Sequence, residues 1–246
     1  MRIGRANDGG YVVSVTTVLE SDYLISAGIN DDWSFESAFL SYHNVEVPLI
    51  AIDFSISFRV FVFRATKNIV KLLLKRANTK DFLDSMKVPF RYLIFFRKKN
   101  RHLRKKLVAN ADIEGEISLH DLFKETDSKN IFLKMDIEGG EYELFSTVLE
   151  HKERLTSAVI EFHDCNSRWE QINKFLIQFR QSHELVHVHV NNCGGSDING
   201  LPNVIEITLA NRNLIRNKTE EVYQYPRLGL DFPNSHKYPD LEVKFV

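Results

Sequence analysis

Cysteine is almost missing from this chain. Cys165 and Cys193 are its only two, too few for a disulfide framework or a metal knuckle. A reducing, cytoplasmic setting is the simplest expectation. Long hydrophobic runs are missing too: the longest, such as residues 93–96, fall far short of the ~18 residues a membrane span needs. The opening MRIGRANDGG is polar, so no secretory signal is expected. No internal repeat is visible. Net charge is close to absent, at −1. What is present is 246 residues, 43% of them hydrophobic, enough for one sizeable core in a single domain over 1–246.

The charge that cancels overall is unevenly spread. Residues 59–106 hold 16 Lys/Arg and two acids, Asp81 and Asp84, leaving 16 Lys/Arg against 31 acids elsewhere. A basic helical insertion at about 55–106, built differently from the domain around it, is expected.

Apolar runs recur at α/β spacing. Residues 23–28 (YLISAG), 47–54 (VPLIAIDF), 107–110, 130–136 (NIFLKMD) and 157–163 (SAVIEFH) read as strands. Residues 33–43, 119–125 and 140–150 read as helices. Ser167 and Glu170 match a capping box, after which Trp169, Ile172, Phe175, Leu176 and Phe179 recur on one helical face. Residues 185–190 and 204–210 read as a final antiparallel hairpin across NNCGGSDINGLP, and the polar tail from Asn211 is expected to wrap the surface. Such alternation implies a mostly parallel sheet with helices on both faces, whose ligands sit beyond the carboxyl ends of the strands. Here those ends are nearly all polar, and several are acidic.

Two motifs carry a family resemblance. ISAGINDDWSFE, followed some hundred residues later by LKMDIEGGEYELF, resembles the FkbM-like S-adenosylmethionine-dependent methyltransferases. RIGRANDGGYV, VIEFHD and HVHVNNCGGSDINGLPNVIEIT look like further parts of that family. The resemblance covers roughly residues 2–54 and 107–210, and KMDIEGGE is its specific element. It implies an α/β, Rossmann-like class I methyltransferase fold: a seven-stranded, mostly parallel sheet with an antiparallel last strand. The family's Gly-x-Gly-x-Gly turn is reduced here to Gly28, with Ile29 and Asn30 in the other places.

The resemblance implies S-adenosylmethionine as cofactor. Gly28 would let backbone approach it, with Asn30 and Glu36 beside the same turn. Asp53 would accept from the ribose hydroxyls, Asp112 would meet the adenine amino group, and Asp136 would lie by the transferring methyl. Asp136 and Glu138 alternate along what reads as an extended stretch, so they are expected to point to one side, and Glu141 falls in the first turn of the next helix. Methyl transfer to a hydroxyl needs alignment and a proton acceptor. His163 is the expected base, with Asp136 and Glu161 as its catalytic partners. Asp8, Tyr11, Glu138, Glu141, His189 and Asn191 are expected on the acceptor side.

A divalent metal is a further expectation, on Asp136, Glu161 and His189. A hard cation would take Asp136, Glu138 and Glu161 oxygens; a zinc-like site would use His163, His187 and His189.

The expected activity is O-methylation of a hydroxyl, on a sugar of a surface glycan or its precursor. An RNA methyltransferase that grips phosphates with the basic segment is one rival, and a non-catalytic binding module on the same fold is another. Within the basic segment, 67–77 (KNIVKLLLKRA) reads as an amphipathic helix and 97–106 (RKKNRHLRKK) as a solvated cationic run. The segment would suit an anionic membrane surface, nucleic acid less well, or a lid over an anionic glycan. A protein peripheral to a membrane follows from the first of these. The oligomeric state stays open.

Overall fold

The computed structural model describes residues 1–73, 79–97, 100–215 and 224–243. The chain opens with a small hairpin, β1 (Arg2–Ile3) and β2 (Tyr11–Val12), and a short helix α1 (Val15–Leu19). Then follow β3 (Tyr23–Ala27), α2 (Ser34–Ser41) and β4 (Leu49–Ile52). Two long helices come next, α3 (Phe58–Leu73) and α4 (Thr79–Phe95), before β5 (Asn100–Leu103). Strands β6 (Lys106–Val108) and β7 (Glu116–Ser118) lead into α5 (Leu119–Lys124), where the Ser118 hydroxyl caps the helix by accepting from the Asp121 amide. The remainder is β8 (Ile131–Met135), α6 (Glu141–Glu150), β9 (Leu155–Phe162), α7 (Cys165–Phe179), β10 (His183–Val190) and β11 (Ile205–Asn211).

Seven strands form one sheet in the order β10-β11-β9-β8-β3-β4-β5. All neighbouring pairs from β9 to β5 are parallel, and β11 runs antiparallel to both β9 and β10. This is the seven-stranded class I methyltransferase arrangement expected above. Buried apolar residues alternate between faces. Ile25, Leu133 and Ile160 face a core shared with α5, α6 and α7; Leu24, Phe132 and Val159 face one shared with α2. The order reverses between β3 and β8, and at that switch point the carboxyl ends of two adjacent strands open a crevice. The Asp136 amide donates to the Ala27 carbonyl (3.0 Å), so the Gly28 turn and Asp136 lie side by side there.

Three sequence expectations need correction. The third strand of the sheet is β5, inside the expected cationic run, and not 107–110. Residues 106–108 instead pair with 116–118 in a separate two-stranded sheet. Asn100–Leu103 is polar and basic, but it pairs in parallel with Leu49–Ile52 and closes the sheet edge, where charged side chains are well suited. The insertion therefore reduces to the α3–α4 pair; of the expected helix at 67–77, residues 67–73 are helical and 74–77 lie outside the described residues. Finally, α7 starts at Cys165 and not at a Ser167 cap. Asp164, with φ +54°, is its N-cap, the Ser167 hydroxyl donates to the Asp164 carbonyl, and Glu170 pairs with Lys174. Trp169 is exposed, leaving Ile172, Phe175 and Phe179 as the buried stripe.

Candidate active site

The turn after β3 is built around Gly28. Its φ is +74°, and a Cβ there would lie 1.5 Å from the Asp136 carbonyl oxygen, so only glycine fits. Asn30 and Glu138, in the turns after β3 and β8, and Asp164, after β9, also take left-handed backbone, at φ +43°, +54° and +54°. Three side-chain-bearing residues in that region, at three adjacent strand ends, mark a locally strained rim.

Above the switch point stands a group of carboxylates around one imidazole. His163 Nδ1 donates to Glu141 Oε1 (3.1 Å), while Nε2 lies 3.5 Å from Glu138, 3.8 Å from Glu161 and 4.0 Å from Asp136. Glu161 accepts from Asn191 Nδ2 (2.9 Å) and from the Tyr11 hydroxyl (3.3 Å). Burial is the largest influence on Asp136 and raises its pKa to about 6, with Lys134 and His163 working against the rise and Glu138 and Asp8 adding to it. Burial also raises Glu161, joined by the negative charge of Asp136 and Glu206. For His163 burial acts downward, but the Glu141 hydrogen bond and the charges of Glu141, Glu161 and Asp136 outweigh it and lift the pKa to about 9.

Asp136, Glu161, His163, Tyr11 and Asn191 are thus brought together. Glu138 joins them from a turn rather than from an extended stretch; its side chain is 88% exposed, with one oxygen toward His163. Glu141 is fully buried. Its Oε1 accepts from the Ile137 and Gly139 amides as well as from His163, so it braces the turn. Asp8 is exposed near Asp136. Glu36 is fully buried under the Gly28 turn, accepting from the Ser26 hydroxyl. Burial raises its pKa. Asp53 stands at the end of β4, as expected, but its oxygens accept from four donors: the Ile29, Asn30 and Ser55 amides and the Ser55 hydroxyl. It clasps the cradle loop, which leaves little acceptor capacity for ribose hydroxyls. Asp112 is exposed in the loop between β6 and β7.

His189 does not join Asp136 and Glu161. Its Nδ1 faces Glu206 (3.2 Å) and its Nε2 faces Asp240 (3.2 Å), while His187 bonds to Asp231 (2.8 Å). The tail covers that strand face. Among the described residues, two sets of three come within 4.8 Å of one another with one ligand atom each: Asp136, Glu161 and His163 here, and His120, Glu150 and His151 away from these strand ends.

Lys134 is the residue beside the Asp136–Glu161–His163 group that sequence reading passed over. It is buried in β8, its ammonium donates to the Gly28 carbonyl, and it lies 4.0 Å from Asp136. The only signal was a lysine inside an apolar run, NIFLKMD. On the outer side of the Gly28 turn, a cleft of about 480 Å³ is lined by Arg5, Asp31, Arg64, Lys87 and Arg91 among others.

No protein-family model and no curated protein matches the chain. Among solved structures, it is similar to a putative rRNA-methylase from Clostridium thermocellum at 11% identity and TM-score 0.39, over 80% of this chain and 90% of the other. It is similar to the Methanococcus jannaschii fibrillarin pre-rRNA processing protein at 9% and 0.36, over 81% and 70%. A precorrin-6y C5,15-methyltransferase from Geobacter metallireducens gives 11% and 0.38, over 78% and 81%. Likenesses this distant add nothing to the strand order described above.

Proposed function

We propose that this chain is an S-adenosylmethionine-dependent methyltransferase of the FkbM-like kind, which O-methylates a hydroxyl of a sugar in a surface glycan or its precursor. The observation that carries the reading is the adjacency of the Gly28 turn and the Asp136–Glu161–His163 group at the switch point of the sheet. The sign of the charge fits the cofactor. S-adenosylmethionine brings a sulfonium and an ammonium, and the crevice offers the partly exposed Asp136 and the nearby, exposed Asp8. When bound, it supplies an electrophilic methyl group.

The residues divide the work by geometry. His163 has carboxylates against both ring nitrogens, which hold it as an imidazolium. In that form it cannot take a proton, so the role of base passes from His163 to Asp136. Asp136 keeps a quarter of its side chain exposed and can meet an acceptor hydroxyl. Glu161, fixed by Tyr11 and Asn191, faces the same Nε2 as Asp136, and Glu141 holds the ring at Nδ1. The same three side chains could alternatively hold a divalent cation, which would lower the acceptor's pKa directly. An acceptor with uncharged hydroxyls suits this acidic mouth better than RNA, whose phosphates would be repelled by Asp8, Asp136 and Glu138. Phosphate on a nucleotide- or lipid-linked sugar would instead fit the cleft at Arg5, Arg64 and Arg91.

Calorimetric titration with S-adenosylmethionine tests the reading, with and without Mg²⁺, on the wild type and on Asp136→Asn. Saturable binding that weakens about tenfold in the variant is the expected result. Absence of binding under either condition sinks it and leaves a non-catalytic binding fold.

A further inference from the structure

Helix α4 is apolar on two opposite sides. Val88, Tyr92 and Phe95 pack toward Trp33 on the body of the protein. On the other side, Leu83, Phe90 and Ile94, at i, i+7 and i+11, share one face with Leu93 beside them. All four are exposed, Phe90 at 67% and Ile94 at 61%. On the adjacent helix α3, Phe63 is 69% exposed, with the exposed Arg59 and Lys67 one turn to either side of it, while Phe58, Val62 and Ile69 border the side that buries Phe61 and Ala65. A helix that simply covered a sheet would turn charged residues outward where α4 carries Leu83, Phe90 and Ile94. Exposed cations accompany these residues: Arg59 and Lys67 on α3 and Arg97 just past α4, while Arg64, Lys87 and Arg91, also exposed, line the cleft with Arg5 and Asp31. Arg5 apart, these cations belong to the stretch with 16 Lys/Arg against two acids. Among the described residues no helix is long and apolar enough to cross a membrane.

We propose that the outer face of the α3–α4 pair docks on an anionic lipid surface, with Phe63, Phe90, Leu93 and Ile94 entering the headgroup region and the flanking Lys and Arg facing lipid phosphates. Charge complementarity and exposed apolar area together select this partner. Nucleic acid would use the cations but has no use for exposed Leu and Ile, which cannot stack on bases. A second copy of the chain would bring the same cationic segment against itself. The proposal does not depend on methyl transfer, so a protein that fails to bind S-adenosylmethionine can still meet it.

The test is flotation of the full-length protein with vesicles of phosphatidylcholine alone, and with vesicles containing a third phosphatidylglycerol. The variants are Phe90→Ser/Ile94→Ser and, separately, Arg59→Glu/Lys67→Glu. All four positions are exposed, and circular dichroism reports whether each variant folds. The expected result is binding to the anionic vesicles only, lost in high salt and weakened roughly tenfold or more in both variants. No binding to anionic vesicles overturns the proposal, as does binding that the Phe90/Ile94 variant leaves unchanged. RNA binding at physiological salt that only the charge variant abolishes would reassign the face to nucleic acid. Dimerisation lost in Phe90→Ser/Ile94→Ser would reassign it to self-association.

Discussion

At the scale of single residues, the buried Lys134 links the cradle to the acidic group. Its ammonium sits between the Gly28 carbonyl and Asp136, with Glu36 on the neighbouring helix also feeling its charge. Lys134→Met keeps the length and the apolar stem but removes the cation, leaving buried carboxylates without their counter-charge. Its expected cost is about 3 kcal/mol in urea unfolding. A loss below about 1 kcal/mol would mean that the carboxylates simply take up protons instead. Asp53 asks for the opposite caution. Because its oxygens hold the Ile29, Asn30 and Ser55 amides, Asp53→Ala is expected to lower cofactor affinity by loosening the loop, without ribose contact. Hydrogen exchange of the Ile29 and Asn30 amides checks this: faster exchange in the ligand-free variant is the expected outcome. Asp136, Glu161 and His163 were legible because strand ends and the KMDIEGGE motif mark them. Asp53 was legible in place but not in partners, since a sequence does not reveal which amides a turn aims at a carboxylate. Lys134 was hidden because a lysine in a strand reads as a solvent-facing residue until both faces are known to be covered.

Elements show the same divide between what is local and what is tertiary. Central strands β3, β8 and β9 were readable as apolar runs buried on both faces. The edge strand β5 was not, because NRHL has no strand-like pattern and is held by its pairing with β4. The start of α7 was misread because Ser167 and Glu170 have the right spacing for a capping box, while the N-cap is Asp164, three residues earlier. Two substitutions test how firmly elements fix the site. Gly28→Ala would drive a methyl into the Asp136 carbonyl from a left-handed backbone. The expected result is a loss of roughly 4 kcal/mol or outright misfolding, well beyond the ~1 kcal/mol typical of strain alone. A soluble, cofactor-binding Gly28→Ala protein would contradict this packing. Phe175 is buried in α7 and stacked on Phe145 of α6 with centroids 4.2 Å apart. Phe175→Ala is expected to cost about 3–5 kcal/mol in denaturant unfolding while leaving the cluster around His163 intact.

Across the whole molecule, the tail ties distant parts of the chain to the sheet. Asp231 bonds to His187 and Asp240 faces His189 on β10, while the Asn192 amide donates to the Ser235 and Tyr238 carbonyls. This explains why alternating histidines, which suggested a metal site, are structural here: Asp231 and Asp240 come from 44 and 51 residues further along and carry no local signal. The latch has a pH signature. Burial acts to lower the His189 pKa, but the Glu206 hydrogen bond and the charges of Glu206, Asp240 and Asp231 raise it to about 9. Its folded value thus lies above the ordinary 6.5. Its contribution is fully present below pH 6.5 and is lost as pH rises through about 9. Asp231 behaves in the reverse sense. Burial acts to raise its pKa, yet the His187 hydrogen bond and charge carry it below the ordinary 3.8, so its contribution is present above pH 3.8 and fades as pH falls through the lowered value. The latch should therefore be strongest between pH 4 and 6.5. Urea unfolding of the wild type at pH 6.5 and pH 9.5 is expected to show an alkaline loss to which His189 contributes on the order of 2 kcal/mol. His189→Gln removes the charge while keeping a hydrogen-bonding side chain, so its stability should be lower at pH 6.5 and fall less steeply toward pH 9.5. A variant that loses stability with the same slope as the wild type would place the alkaline titration elsewhere, and His163, raised in the same direction, would be the group to replace next.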